Sequence, residues 1–446
     1  MSRYILFGLI ALLGLATAHA QDDLASGSTK KWTLKECIDY AEQNSRDIAR
    51  AHAQAEQAKQ DVLQKQAEWL PSLSASTSHS LNYSPFLKEQ AGMDVDKLSY
   101  NGSYGVNAGW TVWNGNQTAN NIRLAKLSAE QSELQSEMLL NNIKEQATQL
   151  YVQILYTQEA LKVNRELLEQ DETLYRRGEE LLKQGQIAKY ELLELQTQVA
   201  NGQYDIVSTE TQIEQYKLQL KHLIDFPSHM PFDVATVSIS DHQALVDIPT
   251  AAAVHEKALV VRPEVREADL AIRQSELSYT IAKAGYLPTV TMSAGLGTNH
   301  SSANHTDYFE QMHRSFDASL GISLSVPILD NRRNKTTIHK ADISRTIAKL
   351  DREDLDYDLY NTIANYRLQA VNNQQKFQAG LARLKYNKEN YAAIFEKARI
   401  GTMNIVETFN ARTNLLNAQQ DVLQSKYLTL YNIQMLRLYS GEEITL

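Results

Sequence analysis

Apolar and small polar residues alternate one by one in a few short stretches of the chain, whereas everywhere else the apolar positions recur at helical spacing. Over Gly102 to Trp113, Tyr104, Val106, Ala108, Trp110 and Val112 share one face, and Ser103, Gly105, Asn107, Gly109 and Thr111 share the other. Period two predicts a strand with one apolar face, and Leu73 to Tyr83 forms a companion across a polar loop. A later stretch is sharper: Phe316, Ala318, Leu320, Ile322, Leu324, Val326 and Ile328 alternate with Asp317, Ser319, Gly321, Ser323 and Ser325. Its partner sets Val290, Met292, Ala294 and Leu296 against Thr291, Ser293 and Gly295. A soluble sheet with one face on a core gives this alternation too. The small, polar second face also suits the lining of a membrane barrel, with Tyr83, Tyr100, Tyr104, Trp110 and Trp113 as interfacial aromatics.

The helical stretches are long. A first helix runs from about Thr33 to Trp69, where Pro71 stops it. From Gly115 to Lys183 no proline intervenes, which at 1.5 Å per residue is roughly 100 Å. Leu140, Ala147, Ile154, Leu161, Leu168, Tyr175 and Leu182 recur every seven residues as a coiled-coil seam. After Gly185 a returning helix carries Leu192, Val199, Ile206, Ile213 and Leu220 at the same spacing. Gly185 therefore sits where a helix should end in a left-handed cap.

This plan is written twice. Trp69-Leu70-Pro71 reappears 217 residues on as Tyr286-Leu287-Pro288, and the pair Gly185 and Glu191 reappears 216 residues on as Gly401 and Glu407. The second seam, Ile363, Ala370, Phe377, Leu384, Tyr391 and Ala398, keeps the 216-residue shift. A period this long means two copies of one large unit. The expected organisation is a leader at 1–20, a first repeat at 21–225, a mixed segment at 226–249, a second repeat at 250–440 and a tail at 441–446. Two long antiparallel hairpins result, with tips at Gly185 and Gly401.

Met1 to Ala20 has Arg3, an apolar run from Tyr4 to Leu15, and Ala18-His19-Ala20 before Gln21, the pattern of a cleaved secretory signal. No cysteine follows to accept lipid. The single cysteine, Cys37, cannot form an intramolecular disulfide and fits a small buried position. No later stretch reaches the length of a transmembrane helix, so any membrane crossing must use strands. The formal charge of −9 argues against nucleic acid as a partner.

Four strands cannot close a membrane barrel, and open edges in lipid leave backbone groups without partners. Several protomers must share one barrel, and twelve strands from three chains is the natural solution. On the duplicated order of elements, the junctions Leu70-Pro71 and Leu287-Pro288, and the glycine-plus-acidic segments Gly185 to Gln203 and Gly401 to Gln419, the chain resembles the outer-membrane efflux protein family, the TolC-like proteins. The resemblance runs from Thr33 to about Tyr439. It implies a mainly α fold with a membrane β-barrel portion: duplicated coiled-coil hairpins forming an α-barrel, and four strands per protomer contributing to a trimeric twelve-stranded barrel. It also implies an outer-membrane exit duct for small molecules or proteins in tripartite efflux or type I secretion. Its partners would be a periplasmic adaptor, an inner-membrane pump and outer-membrane lipid, with no cofactor.

Acidic residues ring the periplasmic entrance in that family. By the glycine register the copy-two positions fall on Glu407 and Asn410, where the best-known family member has aspartate at both, and copy one offers Glu191 and Glu194. Residues three apart share a helix face, and three protomers would bring nine carboxylates, enough to favour cations. These glutamates also fit the solvated face of a coiled coil. The tyrosine and arginine that help lock the entrance in that member fall on Ala398 and Met403, so a closed-state lock needs other contacts. Gly185 and Gly401, at the hairpin tips, would meet the adaptor.

His300, His305 and His313 lie in or beside the loop between the copy-two strands; histidines in a polar loop are ordinarily solvated, and a metal site is the alternative. Arg332, Arg333 and Lys335 follow a strand end, where solvation or snorkelling accounts for them. No Ser-His-Asp set, phosphate loop, metal spacing or nucleophile elbow points to an enzyme. The competing function is a periplasmic coiled-coil structural protein that forms no channel.

Overall fold

A computed structural model describes residues 30–83, 85, 98–237, 239–304, 306–400, 402 and 404–445. The leader segment at 1–20, His305, Gly401 and Met403 lie outside the described residues. The first copy runs β1 (Lys31–Trp32), α1 (Leu34–Asn44), α2 (Arg46–Ala67), β2 (Ser72–Tyr83), β3 (Leu98–Trp113), α3 (Gln117–Lys183) and α4 (Lys189–Leu223). A connecting segment holds β4 (Asp233–Val234) and α5 (Asp241–Ala244). The second copy runs α6 (Ala251–Val261), α7 (Pro263–Ala284), β5 (Thr289–Ser301), α8 (Tyr308–Arg314), β6 (Asp317–Ser325), α9 (Arg333–Arg399) and α10 (Ile405–Tyr439). The helices α3 and α9 are each 67 residues long, and α4 and α10 each 35. The two hairpins therefore match in length, as the duplication requires.

The first helix differs from its expected single span. It breaks at Ser45, which is extended (φ −65°, ψ 126°) and ends α1 while starting α2. Ser45 gives α2 no side-chain cap. Asp225, far along the chain, supplies one instead: its carboxylate accepts from the Arg46 backbone N–H at 2.9 Å and from Arg46 Nε at 2.9 Å. Those bonds hold the Asp225 carboxyl below its usual range. They also fix a residue in the left-handed region, φ 55°, a conformation that costs a side-chain-bearing residue roughly 1–2 kcal/mol.

The central core joins both copies. Ile143, Ala147, Tyr151, Ile154 and Leu155 of α3 pack with Leu34, Cys37 and Ile38 of α1, Leu220 of α4 and Tyr427 of α10. Each fully buried aliphatic or aromatic chain contributes about 1.5–3 kcal/mol. The connecting segment closes this core. β4 pairs in parallel with β1, and the Tyr151 hydroxyl donates to the Trp32 and Ala235 carbonyls at 3.2 and 2.9 Å.

The seam of α3 is not the expected line throughout. Ala147 and Ile154 are buried, but nearer the tip the buried residues are Ala160, Leu167, Leu174 and Leu181. Leu161, Leu168, Tyr175 and Leu182 are half-buried. The neighbours change along the helix: Ala147 and Ile154 lie in the core shared with α1 and α4, whereas Leu167 packs with Tyr391, Ile394, Ala411 and Leu415 of the second hairpin, so the buried line moves to the preceding position.

Candidate functional site

Two regions carry the features that function needs: the sheet at one end and the hairpin tips at the other. The sheet order is β2-β3-β5-β6, antiparallel throughout. Its register turns the sequence alternation into rows. Leu73, Ala108, Ala294 and Leu320 form one row, and Ala75, Val106, Leu296 and Ala318 the next. On the opposite face Ser72, Gly109, Ser293 and Gly321 lie in line, followed by Ser74, Asn107, Gly295 and Ser319. One face is thus continuously apolar and the other continuously small and polar. On the apolar side Leu73, Leu320, Ile322 and Leu324 are 64 to 75 % exposed, so the described residues provide no core for that face.

Both strand-to-helix exits turn sharply by the same device. Gly115 and Asn116 (φ 68° and 65°) lead into α3, and Asn331 and Arg332 (φ 52° and 67°) lead into α9. Arg332 is thus a turn residue at the helix start, while Arg333 and Lys335 sit in the first turns of α9.

At the tip of the first hairpin Gly185 has φ 70°. The Gln186 N–H donates to the Leu181 carbonyl at 2.9 Å and the Gly185 N–H to the Leu182 carbonyl at 2.9 Å, the paired bonds that end a helix on a left-handed residue. In the second hairpin the equivalent long bond is present, Thr402 N–H to the Lys397 carbonyl at 3.1 Å. Gly401 itself lies outside the described residues.

The acidic residues beyond the tips separate into two kinds. Glu191 is half-buried and its carboxylate accepts from the Ala188 N–H at 2.8 Å. It caps the start of α4, since Ala188 has no acceptor of its own. Glu194, Glu407 and Asn410 are exposed. Asn404 caps α10 by accepting from the Val406 N–H at 2.9 Å, which leaves the Glu407 carboxylate unused by that cap.

Sequence reasoning missed a buried ion pair about 20 Å above the tips, a spacing that follows from 14 residues between Asp171 and Gly185 at 1.5 Å rise. Asp171 of α3 accepts from Arg412 of α10 at 2.7 to 2.9 Å, with side-chain exposures of 3 % and 9 %. The side-chain amide of Gln198 on α4 meets the same guanidinium, and with its oxygen assigned inward it accepts at 2.6 to 3.1 Å. Burial lifts the Asp171 carboxyl to about 6, against the opposing pull of Arg412. Beside it Leu167, Tyr391, Ile394, Ala411 and Leu415 form an apolar cluster between the two hairpins. Nearer the tip, Arg177 Nε donates to the Arg399 carbonyl at 2.9 Å. The hairpins are therefore bolted together within one chain. A visible signal existed: Asp171 stands at core spacing between Leu167 and Leu174, where a charge is out of place.

His300 ends β5 and its ring packs on Tyr308 at 4.6 Å, whereas His313 is exposed on α8. His305 lies outside the described residues. No group of three His, Cys, Asp or Glu residues suited to a metal ion occurs among the described residues. Nor is any described helix long and apolar enough to cross a membrane.

Comparison with known proteins agrees with this geometry. Among relatives, the cation efflux system protein CusC of Escherichia coli O157:H7 is 22 % identical over 408 residues, covering 90 % of this chain and 84 % of that protein. The pyoverdine export outer membrane protein OpmQ of Pseudomonas aeruginosa is 25 % identical over 297 residues, 65 % of this chain and 60 % of its own length. A crystal structure of CusC superposes with a TM-score of 0.78 at 17 % identity, covering 93 % of each chain. The Campylobacter jejuni CmeC outer membrane channel gives 0.75 at 18 % identity over 92 % of this chain and 85 % of its own. The outer membrane efflux protein family model matches residues 37–224 and 254–442, both copies of the repeat, and the chain belongs to that family.

Proposed function

We propose that three copies of this chain form a passive exit duct through the outer membrane and periplasm, the last component of a tripartite export machine. The observation that carries this reading is the sheet with one apolar face, one small polar face and two open edges at β2 and β6. Lipid takes the apolar face, water takes the other, and pairing β6 of one copy with β2 of the next satisfies both edges. Twelve strands close in this way with threefold symmetry.

Below the barrel, the hairpins of three copies continue as a water-filled helical tunnel. The tips at Gly185 and Gly401 would meet a periplasmic adaptor, which connects the duct to an inner-membrane pump. Glu194 and Glu407 would line the entrance with negative charge, with Asn410 as a neutral member of the ring and Glu191 adding its charge from the helix cap. The ion pair between Asp171 and Arg412 would hold the closed form, doing what Ala398 and Met403 cannot. Like charges at a constriction favour cations.

The cargo follows from the pump and not from chemistry within the duct. Purified protein in a planar bilayer tests the reading. Steady ionic conductance with cation preference is expected, and correctly assembled protein that carries no current would contradict it.

A further inference from the structure

Beyond the apolar rows, at the end of the sheet remote from the helices, His79, Gly102 and His300 occupy one row across β2, β3 and β5. They lie on the same side as Val106 and Leu296. Gly102 has no Cβ, and both imidazoles lean over it. A Cβ placed there would stand 2.3 Å from His300 Cε1, 2.7 Å from His300 Nδ1 and 3.1 Å from His79 Nδ1. The two Nδ1 atoms therefore face one small volume above the glycine.

A third donor stands beside His79, since the Tyr100 hydroxyl lies 2.9 Å from its Nδ1. On the far side of that ring, Thr77 Oγ1 is 3.1 Å from Nε2. A hydroxyl that accepts from Nε2–H leaves the Nδ1 lone pair facing the cradle, the arrangement by which a neighbouring acceptor fixes the tautomer of a metal-binding imidazole. His300 Nδ1 is shut off from solvent and has no hydrogen-bond partner among the described residues. Tyr100, Tyr104 and Tyr308 pack around its ring at 5.4, 6.4 and 4.6 Å. A shielded nitrogen without a partner, across the glycine from a second imidazole, calls for an explanation.

The geometry points to a site for one divalent cation of the copper or zinc class, held by His79 Nδ1, His300 Nδ1 and the Tyr100 oxygen. Imidazole and phenol oxygen suit these metals, whereas magnesium and calcium need several carboxylate or carbonyl oxygens. Rotation of the two rings about their χ angles would bring both nitrogens onto one ion, with water in its remaining positions. If the phenol binds as phenolate, its proton passes to water. The ion would tie β2 to β5 across β3 within one chain.

Calorimetric titration of the purified full chain in detergent, with Cu2+ alone and Zn2+ alone, tests the site. One ion per chain is expected, and His79→Ala or His300→Ala should each weaken binding by at least about tenfold. Gly102→Ala should do the same with all three donors kept, because its methyl group fills the cradle. His313→Ala, on exposed α8, should change nothing. The Cu2+ electron paramagnetic resonance spectrum should show two nitrogen donors. Wild-type binding no tighter than that of the His79→Ala, His300→Ala double variant, with equal elution volume and circular dichroism, would overturn the assignment. If Gly102→Ala does not assemble, the two histidine variants decide alone.

Discussion

Arg412 and Asp171 meet in a buried ion pair at 2.7 Å that joins the rising helix of the second hairpin to the descending helix of the first. Neither charge has water to fall back on, so removing one partner strands the other. Arg412→Ala should destabilise the protein by about 3–5 kcal/mol, whereas an apolar pair of similar volume, Asp171→Leu with Arg412→Met, should recover most of that loss. Thermal melting in detergent measures both. A single variant that melts like wild type would show that the pair does not hold the hairpins.

The same pair sets a pH dependence. The Asp171 carboxyl is raised from 3.8 to about 6 by burial, so the folded chain holds that proton more tightly than the unfolded chain does. Protonation therefore favours the folded state: this contribution is present in full below the unfolded pKa and is lost as pH rises through about 6. Asp171→Asn removes the titration and keeps an acceptor for Arg412. The melting temperature of wild type relative to this variant should rise between about pH 7 and pH 5. A difference that stays flat over that range contradicts the assignment.

The hairpin tip offers a test of docking apart from folding. At Gly185 a Cβ would meet nothing within 4 Å, but the backbone has φ 70°. Gly185→Val should therefore cost on the order of 1–2 kcal/mol through backbone strain alone. Such a loss is local, so abundance in the outer membrane should hold while export falls. Normal export at normal abundance would remove the tip from the docking surface.

The tip glutamates should act unequally. Glutamine at Glu191 can still serve the α4 cap, so Glu191→Gln should be mild. Glu194→Gln with Glu407→Gln should lower cation preference in a salt gradient, because a ring in a constriction acts on every passing ion. Charges on an outer face are screened within about 8 Å at physiological salt. Wild-type reversal potentials in the double variant would place these residues on such a face.

The repeat, the strands and the long helices were legible in the sequence because each rests on local periodicity. Leu73 to Tyr83 and Phe316 to Ile328 alternate whatever lies next to them, and the φ of 70° at Gly185 is met by the residue best suited to it. The remainder depends on partners distant in the chain. The break at Ser45 is held by Asp225, 179 residues from Arg46. That Glu191 caps α4 depends on the rotamer that brings its carboxylate to the Ala188 N–H. The placement of His79 beside His300 is not visible in the sequence, since only the register through Gly102 brings β2 and β5 into one row.

The mass of the detergent-solubilised particle bears most directly on the central claim, that copies of this chain close one barrel. Among the described residues β2 and β6 are the open edges of the sheet, and unpaired edges are not tolerated in lipid. Native mass spectrometry should find a single species of three chains, each of 50.4 kDa less any cleaved leader. A stable monomer or dimer carrying the folded sheet would contradict the shared barrel, because its edge strands would have no partners.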